Sequence, residues 1–425
     1  VTAVQAPPRA ALTRLAGMRH TSPGRLQLLL VVLLVLTTLA GLVTGLTAAS
    51  AAAGTTDLRD RAQPLLAEAE TVWSSLADAD ATAAQAFISG GLEPPELTSR
   101  YDEKLTAAAT ALTSAARRVP EDSAGAEAIR AISAGLGDYT ALVATARALN
   151  RQGKPVGAAY LSTASQLNRG TLQPQAQALF QQARREASAG YTDARSSWWL
   201  ILLLVVLVGL GVALIATQAH LSRTTRRTFN VPLVAATALT VLLALVCAGL
   251  FAHQRSGLES AERAGSTPAQ ALAETRMLVL RERADEALTL AARAGRGALE
   301  DDFTLLRKRF VVSGEEFDEV RGLATTAAER HDAYLALHDE IRKLDDNGDY
   351  EAAVKLAVSP ETRSAFDGVT TVLDEALTGR RAAFDDEIRS AGLGLGALAV
   401  LGPLLALMIG VLAALGLRAR LEEYR

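Results

Sequence analysis

The chain has 425 residues, is 49% hydrophobic and carries a formal charge of only −3. That near-neutral balance leaves no basic footprint for nucleic acid. The single cysteine, Cys247, excludes an intrachain disulfide and a thiolate metal cluster. Length alone allows about two or three domains.

The distribution of apolar residues decides the class. Asp, Glu, Lys, Arg and His are absent between Arg25 and Asp57, Arg195 and His220, Arg227 and His253, and Arg389 and Arg418. Each stretch exceeds the roughly 20 residues a helix needs to cross a bilayer. Their apolar centres read Leu28–Leu46, Trp198–Ala216, Val231–Phe251 and Leu393–Leu417. The pieces ahead of span 1 and between spans 2 and 3 are short and basic, and the tail holds Arg418, Arg420 and Arg425 against Glu422 and Glu423. Positive charge favours the cytoplasmic side, so both termini are expected inside a cell membrane. The paired Trp198-Trp199 suits a membrane interface.

The expected layout follows. A cytoplasmic basic arm (1–25) precedes span 1 (26–49) and an extracytoplasmic segment (50–196). Span 2 (197–217), a cytoplasmic basic loop (218–230) and span 3 (231–252) come next. A second extracytoplasmic segment (253–390), span 4 (391–417) and a cytoplasmic tail (418–425) complete the chain. Span 1 has a rival reading as a signal peptide cleaved near Ala48–Ala53, but its apolar run of about 19 residues exceeds the usual 7–15.

The outer segments read as two copies of one unit. Tyr139-Thr-Ala141-Leu142 recurs as Tyr334-Leu-Ala336-Leu337, and Leu149, Gly153 and Ala158 recur as Leu344, Gly348 and Ala353. Nearer the start, Ala79-Asp80 matches Ala284-Asp285. Apolar residues spaced three and four apart, such as Ile129, Ile132, Leu136 and Tyr139 or Tyr334, Leu337, Ile341 and Leu344, predict amphipathic helices. Gly90-Gly91 with Pro94-Pro95, Val119-Pro120 and Gly153-Lys154-Pro155 divide the first segment. Gly295-Arg296-Gly297, Ser313-Gly314 and Asn347-Gly348 divide the second. Weaker interruptions fall near Asn168-Arg169-Gly170 and Ser359-Pro360. The expected fold is all-α: four transmembrane helices and two extracytoplasmic four-helix bundles related by internal duplication.

Candidate sites are few. His331 and His338 lie seven apart, two helical turns or about 10.5 Å, too far to share a metal without other ligands. With Asp332, Asp339 and Glu340 beside them, they are expected on a solvated face. Asp345–Asp349 suggests a calcium loop, but Lys343 then occupies its first ligand position. Gly153 and Gly348 are read instead as hairpin turns with left-handed glycine. Trp73 is expected in the core rather than on a ligand pocket, and the pairs Arg117-Arg118 and Arg184-Arg185 on solvated faces. Gly41 and Gly45 in span 1, and Gly209 with Ala213 in span 2, are candidate packing contacts. Gly402-Pro403 should kink span 4. Arg223, Arg226 and Arg227 are the candidate cytoplasmic contact. No catalytic constellation, cofactor motif or metal spacing appears, and the spans lack the ionisable residues transporters need.

The run Leu344–Ala353, followed by Phe366 and a long helix into span 4, resembles the four-helix-bundle sensor domains of bacterial chemoreceptors. A chemoreceptor would continue into a long cytoplasmic coil, whereas about eight residues follow span 4. By layout the chain is similar to the GlnX-like four-span membrane proteins of actinobacteria. That resemblance implies a non-enzymatic signal relay, coupling an extracytoplasmic amino-acid-binding lipoprotein to a cytosolic Ser/Thr kinase, with amino-acid sensing as its purpose. The alternative is a structural scaffold for a multiprotein complex. A relay requires two conformations whose balance an outer ligand or partner shifts; a scaffold requires none.

Overall fold

The computed structural model describes residues 22–194, 198–225, 230–293, 297–310 and 321–421. Every regular element among them is helical. They form two compact units. One comprises residues up to 56, 192–258 and from 389 on; the other comprises 57–191 and 259–388.

The first unit is built on α1 (Ser22–Asp57), α7 (Trp198–Thr225), α8 (Val231–Ser260) and α14 (Leu395–Leu421). All four helices are long and apolar enough to cross a membrane, as a multi-pass membrane protein requires. Leu33, Leu210, Leu243 and Ile409 face one shared core, while Val31, Ile201, Leu245 and Leu407 are exposed. Apolar side chains on both faces suit lipid and not water. Polar groups inside this unit are satisfied locally: the Thr44 and Thr47 hydroxyls donate to the Ala40 and Val43 carbonyls at 2.7 Å.

Small residues set the helix spacing here. A Cβ at Gly41 would lie 3.0 Å from the Ala406 Cβ, and one at Gly45 would lie 2.9 Å from the Pro403 ring. The α1–α14 contact therefore depends on these two glycines. A Cβ at Gly54 would lie 3.3 Å from the Ala194 Cα, and one at Gly257 2.8 Å from the Ala391 Cβ. Gly209 differs from the expectation: a Cβ there would meet nothing within 4 Å. Ala213, one turn on, is half-buried against the core. Pro403 lies inside α14, which continues to Leu421.

The second unit is polar. From the first segment it takes α2 (Gln63–Ile88), α3 (Pro95–Ala116), α4 (Ala124–Arg151), α5 (Val156–Leu167) and α6 (Gln173–Ala194). The second segment supplies α9 (Thr267–Ala292), α10 (Ala298–Arg309), α11 (Arg321–Asp346), α12 (Tyr350–Ala357) and α13 (Pro360–Ala391). Turn chemistry follows the sequence. Gly153 and Gly348 adopt φ of +65° and +84°, and the Ser123 and Asp349 side chains cap α4 and α12 by accepting amide bonds at 3.2 Å.

Three π-helical turns join helices that would otherwise be separate: π1 (Leu58–Ala62) before α2, π2 (Asn168–Leu172) before α6, and π3 (Ala261–Ser266) before α9. Each is followed by a residue and then a proline: Gln63-Pro64, Gln173-Pro174 and Thr267-Pro268. Proline has no amide to donate four residues back. The residue before it donates five back instead, as from Gln63 to Leu58, Gln173 to Asn168 and Thr267 to Glu262. The helix widens by one residue and does not stop. Near Asn168-Arg169-Gly170, then, the expected interruption is a π-turn in a continuing helix.

The two segments do not fold apart. Helices α2 and α9 pack against each other, and for that reason α2 is buried almost all round from Ser74 to Ala84. Alanines at 77, 79, 81, 83 and 84 allow this close approach. Ion pairs tie the segments together: Arg100 to Asp367 at 3.0 Å, Arg184 to Glu274 at 3.0 Å, and Arg381 to Glu70.

Candidate functional site

Because α2 and α9 are central, the charged residues they carry are buried and need partners. On α2 the buried ones are Glu70, Asp78 and Asp80; on α9 they are Arg276, Glu282, Arg283, Asp285 and Glu286. Two polar clusters result.

The first surrounds Asp80. Its Oδ2 accepts from the Ser165 hydroxyl at 2.7 Å, its Oδ1 from the Tyr139 hydroxyl at 3.4 Å, and Arg169 Nε lies 3.8 Å away. Arg169 also donates to Asp285 on α9, so one guanidinium on π2 joins a carboxylate from each segment. Compensation is incomplete. Burial pushes Asp80 above the usual carboxylate range despite Arg169, Ser165, Asn168 and Tyr139. It also pushes Asp285 up to about 7, against the pull of Arg169. Arg169 Nη2, Asn168 Oδ1 and Asp285 Oδ2 are buried without hydrogen-bond partners. Asn168 itself is held in place by donation to the Leu76 carbonyl at 2.9 Å.

A cavity of about 510 Å³ adjoins this cluster, lined among others by Trp73, Asn168, Arg169, Gln177, Arg281 and Arg309. Its volume falls in the range of small-molecule sites. Trp73 was expected in the core; it packs on Phe180 with ring centroids 5.4 Å apart and also forms part of the cavity wall.

The second cluster lies between α9 and α11 and corrects the reading of the histidines. His331 and His338 are buried, 2% and 1% exposed. His331 Nε2 lies 2.6 Å from Glu282, and His338 Nδ1 lies 2.9 Å from Glu286 with Nε2 3.4 Å from Glu300. Phe303 stacks on His338 at 3.6 Å. Burial lowers the basicity of His338, but its two carboxylate partners outweigh this and raise it to about 9. Glu286 also accepts from Arg283 and from the Tyr334 hydroxyl at 3.3 Å. Burial would raise Glu286; Arg283, His338 and Tyr334 together hold it below the usual range. The physical reason for the error is register. Residues 331, 334, 338 and 341 share one helix face, the apolar stripe of Tyr334 and Ile341, whereas Asp332, Asp339 and Glu340 face outward.

The remaining expected residues are dispersed. Arg118 pairs with Glu68 at 2.9 Å, and Asp345 with Arg342 at 2.9 Å. Arg223 is exposed near the end of α7, while Arg226 and Arg227 lie outside the described residues. Sequence reasoning missed Arg169 and the carboxylates it joins; the signal was the Asp80–Asp285 correspondence combined with Pro174 just beyond Arg169.

No curated protein and no solved structure matches the chain. A family model described as an actinobacterial sensor domain matches residues 54–192. The matched stretch, which contains Asp80, Tyr139, Asn168 and Arg169, is thus similar to a sensor domain.

Proposed function

We propose that the chain is a non-enzymatic membrane signal relay. The polar unit lies outside the cytoplasm of the cell membrane and receives a signal, and helix displacement carries that signal to a cytosolic partner. The observation behind this reading is the sensor-domain match at 54–192, on a segment whose first helix runs unbroken from Gly24 to Ile88. Orientation rests on the positive charge of the arm (1–25) and the loop (218–230), with both termini inside. By the GlnX-like resemblance, the outer partner is an amino-acid-binding lipoprotein and the inner one a Ser/Thr kinase. The segments are copies of one unit, a reading supported by the paired crossings Gly54–Ala194 and Gly257–Ala391 and by the paired turns π1 and π3.

Locking a crossing tests the relay. A Gly54→Cys, Ala194→Cys pair in a Cys247→Ser background has Cβ positions about 3.4 Å apart, close to disulfide range. Oxidation should abolish kinase output and reductant should restore it. Full crosslinking with unchanged output would refute the relay and favour the scaffold. Orientation is tested with Ser123→Cys and Ser222→Cys: an impermeant thiol reagent applied outside should label only the first. If the loop is the output, Arg226→Glu with Arg227→Glu should silence signalling without changing that labelling.

A further inference from the structure

We propose that the cavity between α2, π2, α6, α9 and α10 binds a small organic carboxylate that also carries an N–H or O–H donor, with Arg169 holding the carboxylate. This rests on the sensing reading and supplies the ligand class for it.

Three features carry the inference. First, the cluster beside the cavity is short of partners in a complementary way. Arg169 Nη2 is a buried donor without an acceptor, and Asn168 Oδ1 is a buried acceptor without a donor. Asn168 is 1% exposed, and both residues line the cavity. Leaving such atoms unsatisfied in a buried site is costly. Both atoms are closed to water, so a ligand in the cavity meets them only once the Arg169 and Asn168 side chains turn toward it, and it must then present an anion-like acceptor and a donor. Guanidinium prefers carboxylate geometry for the acceptor.

Second, the wall chemistry suits that ligand. Arg169, Arg281 and Arg309 outnumber the two lining acids, Asp80 and Glu274; Gln177 and Gln181 add amides, and Trp73, Met277 and Leu306 supply apolar surface. Arg281 is paired with Asp302 at 2.7 Å, whereas Arg169, though paired with Asp80 and Asp285, keeps Nη2 without an acceptor, so Arg169 and Arg309 are the main recognition groups. A volume of about 510 Å³ admits a molecule and its hydration, well beyond the roughly 30 Å³ of one water.

Third, Arg169 is shared between Asp80 and Asp285, the carboxylates that link α2 to α9. A ligand carboxylate at Arg169 competes with both. Occupancy therefore weakens the α2–α9 link, and this gives the ligand a differential interaction with two arrangements of the helices.

The test uses the full chain in lipid nanodiscs with Trp198→Phe and Trp199→Phe, so that Trp73 is the remaining one of three tryptophans. L-Lactate, L-malate and L-serine are titrated into the millimolar range. Propionate, which lacks the donor, and glycerol, which lacks the carboxylate, are the controls. At least one of the three should shift Trp73 emission saturably, roughly tenfold or more tighter than either control. Arg169→Gln should lose that response. Arg309→Gln, an exposed position that leaves the fold intact, should weaken it by about tenfold. No saturable response to any of the three overturns the proposal. So does an equal response to propionate or glycerol, or a response unchanged in both Arg169→Gln and Arg309→Gln. Binding is read here without signalling. A chain that binds normally yet signals when locked at Gly54–Ala194 would sink the relay and leave the site standing.

Discussion

Tyr139 and Tyr334, one in each polar segment, are both fully buried, each with its hydroxyl on a carboxylate of α2 or α9. Around Tyr334 the acids Glu282, Glu286 and Glu300 meet Arg283, Arg342, His331 and His338, and Glu286 is held below its ordinary range. Around Tyr139 the carboxylates Asp80 and Asp285 share Arg169, and burial raises both. Both clusters leave buried polar atoms unpartnered, among them Glu282 Oε1 and Arg283 Nε in one and Arg169 Nη2 and Asn168 Oδ1 in the other. They differ in which effect wins at the carboxylates, partner charge at Glu286 and burial at Asp80 and Asp285, and the second is the open one, because it adjoins the cavity.

The largest test of this contrast is to remove one partner on each side. Glu286→Ala leaves Arg283 and His338 buried without their carboxylate and should cost about 3–5 kcal/mol. Asp80→Asn, at a site where burial already disfavours the charged acid, should cost about 1 kcal/mol. Thermal unfolding of the detergent-solubilised chain measures both, and equal losses would erase the distinction.

Next in size is the pH dependence of His338. Its basicity is raised in the folded chain to about 9, so its contribution is fully present below the unfolded value of about 6.5 and is lost as pH rises through 9. On the order of 3 kcal/mol should disappear across that window, and His338→Asn should remove the slope. A wild-type curve that stays flat there would mean that His338 is not held as the imidazolium.

The open cluster should show a comparable slope at lower pH. Asp285, raised to about 7, contributes stability that is full below about pH 4 and is lost as pH rises through 7. That value already includes the pull of Arg169, and the change across the window is on the order of 4 kcal/mol. Unfolding at pH 5 and pH 8 should show Asp285→Asn to be less pH-dependent than the parent; an unchanged difference would mean full compensation by Arg169. The smallest comparison is between the hydroxyls. Tyr334→Phe, losing a bond to an ionised acceptor, should cost about 1.5 kcal/mol, and Tyr139→Phe about 0.5 kcal/mol.

Much of the fold was legible because long absences of charge and left-handed glycines are local signals. The four apolar helices and the turns at Gly153 and Gly348 needed nothing beyond neighbouring residues. The candidate site was less legible because its partners are distant in sequence. His331 and Glu282 are 49 residues apart, and Arg169 and Asp285 are 116 apart. Acidic neighbours made the histidines look solvated, although their spacing from Tyr334 already put them on the buried face. Packing of α2 on α9 was hidden for the same reason: an alanine-rich helix carries no directional stripe when it is buried on every side.

In the language of crystals, each π-turn is a dislocation: one surplus residue stored in an otherwise regular lattice. Such a defect can glide along a helix, and every residue it passes is rotated by about 100°. Pro64, Pro174 and Pro268 stop that glide at one end, because restoring regular bonding across them would require an amide they lack. The defects are pinned, and the angular phase between residues on either side is a fixed property of each helix. A helix with its phase pinned transmits a turn at one end as a turn at the other, without the slippage a mobile defect would allow.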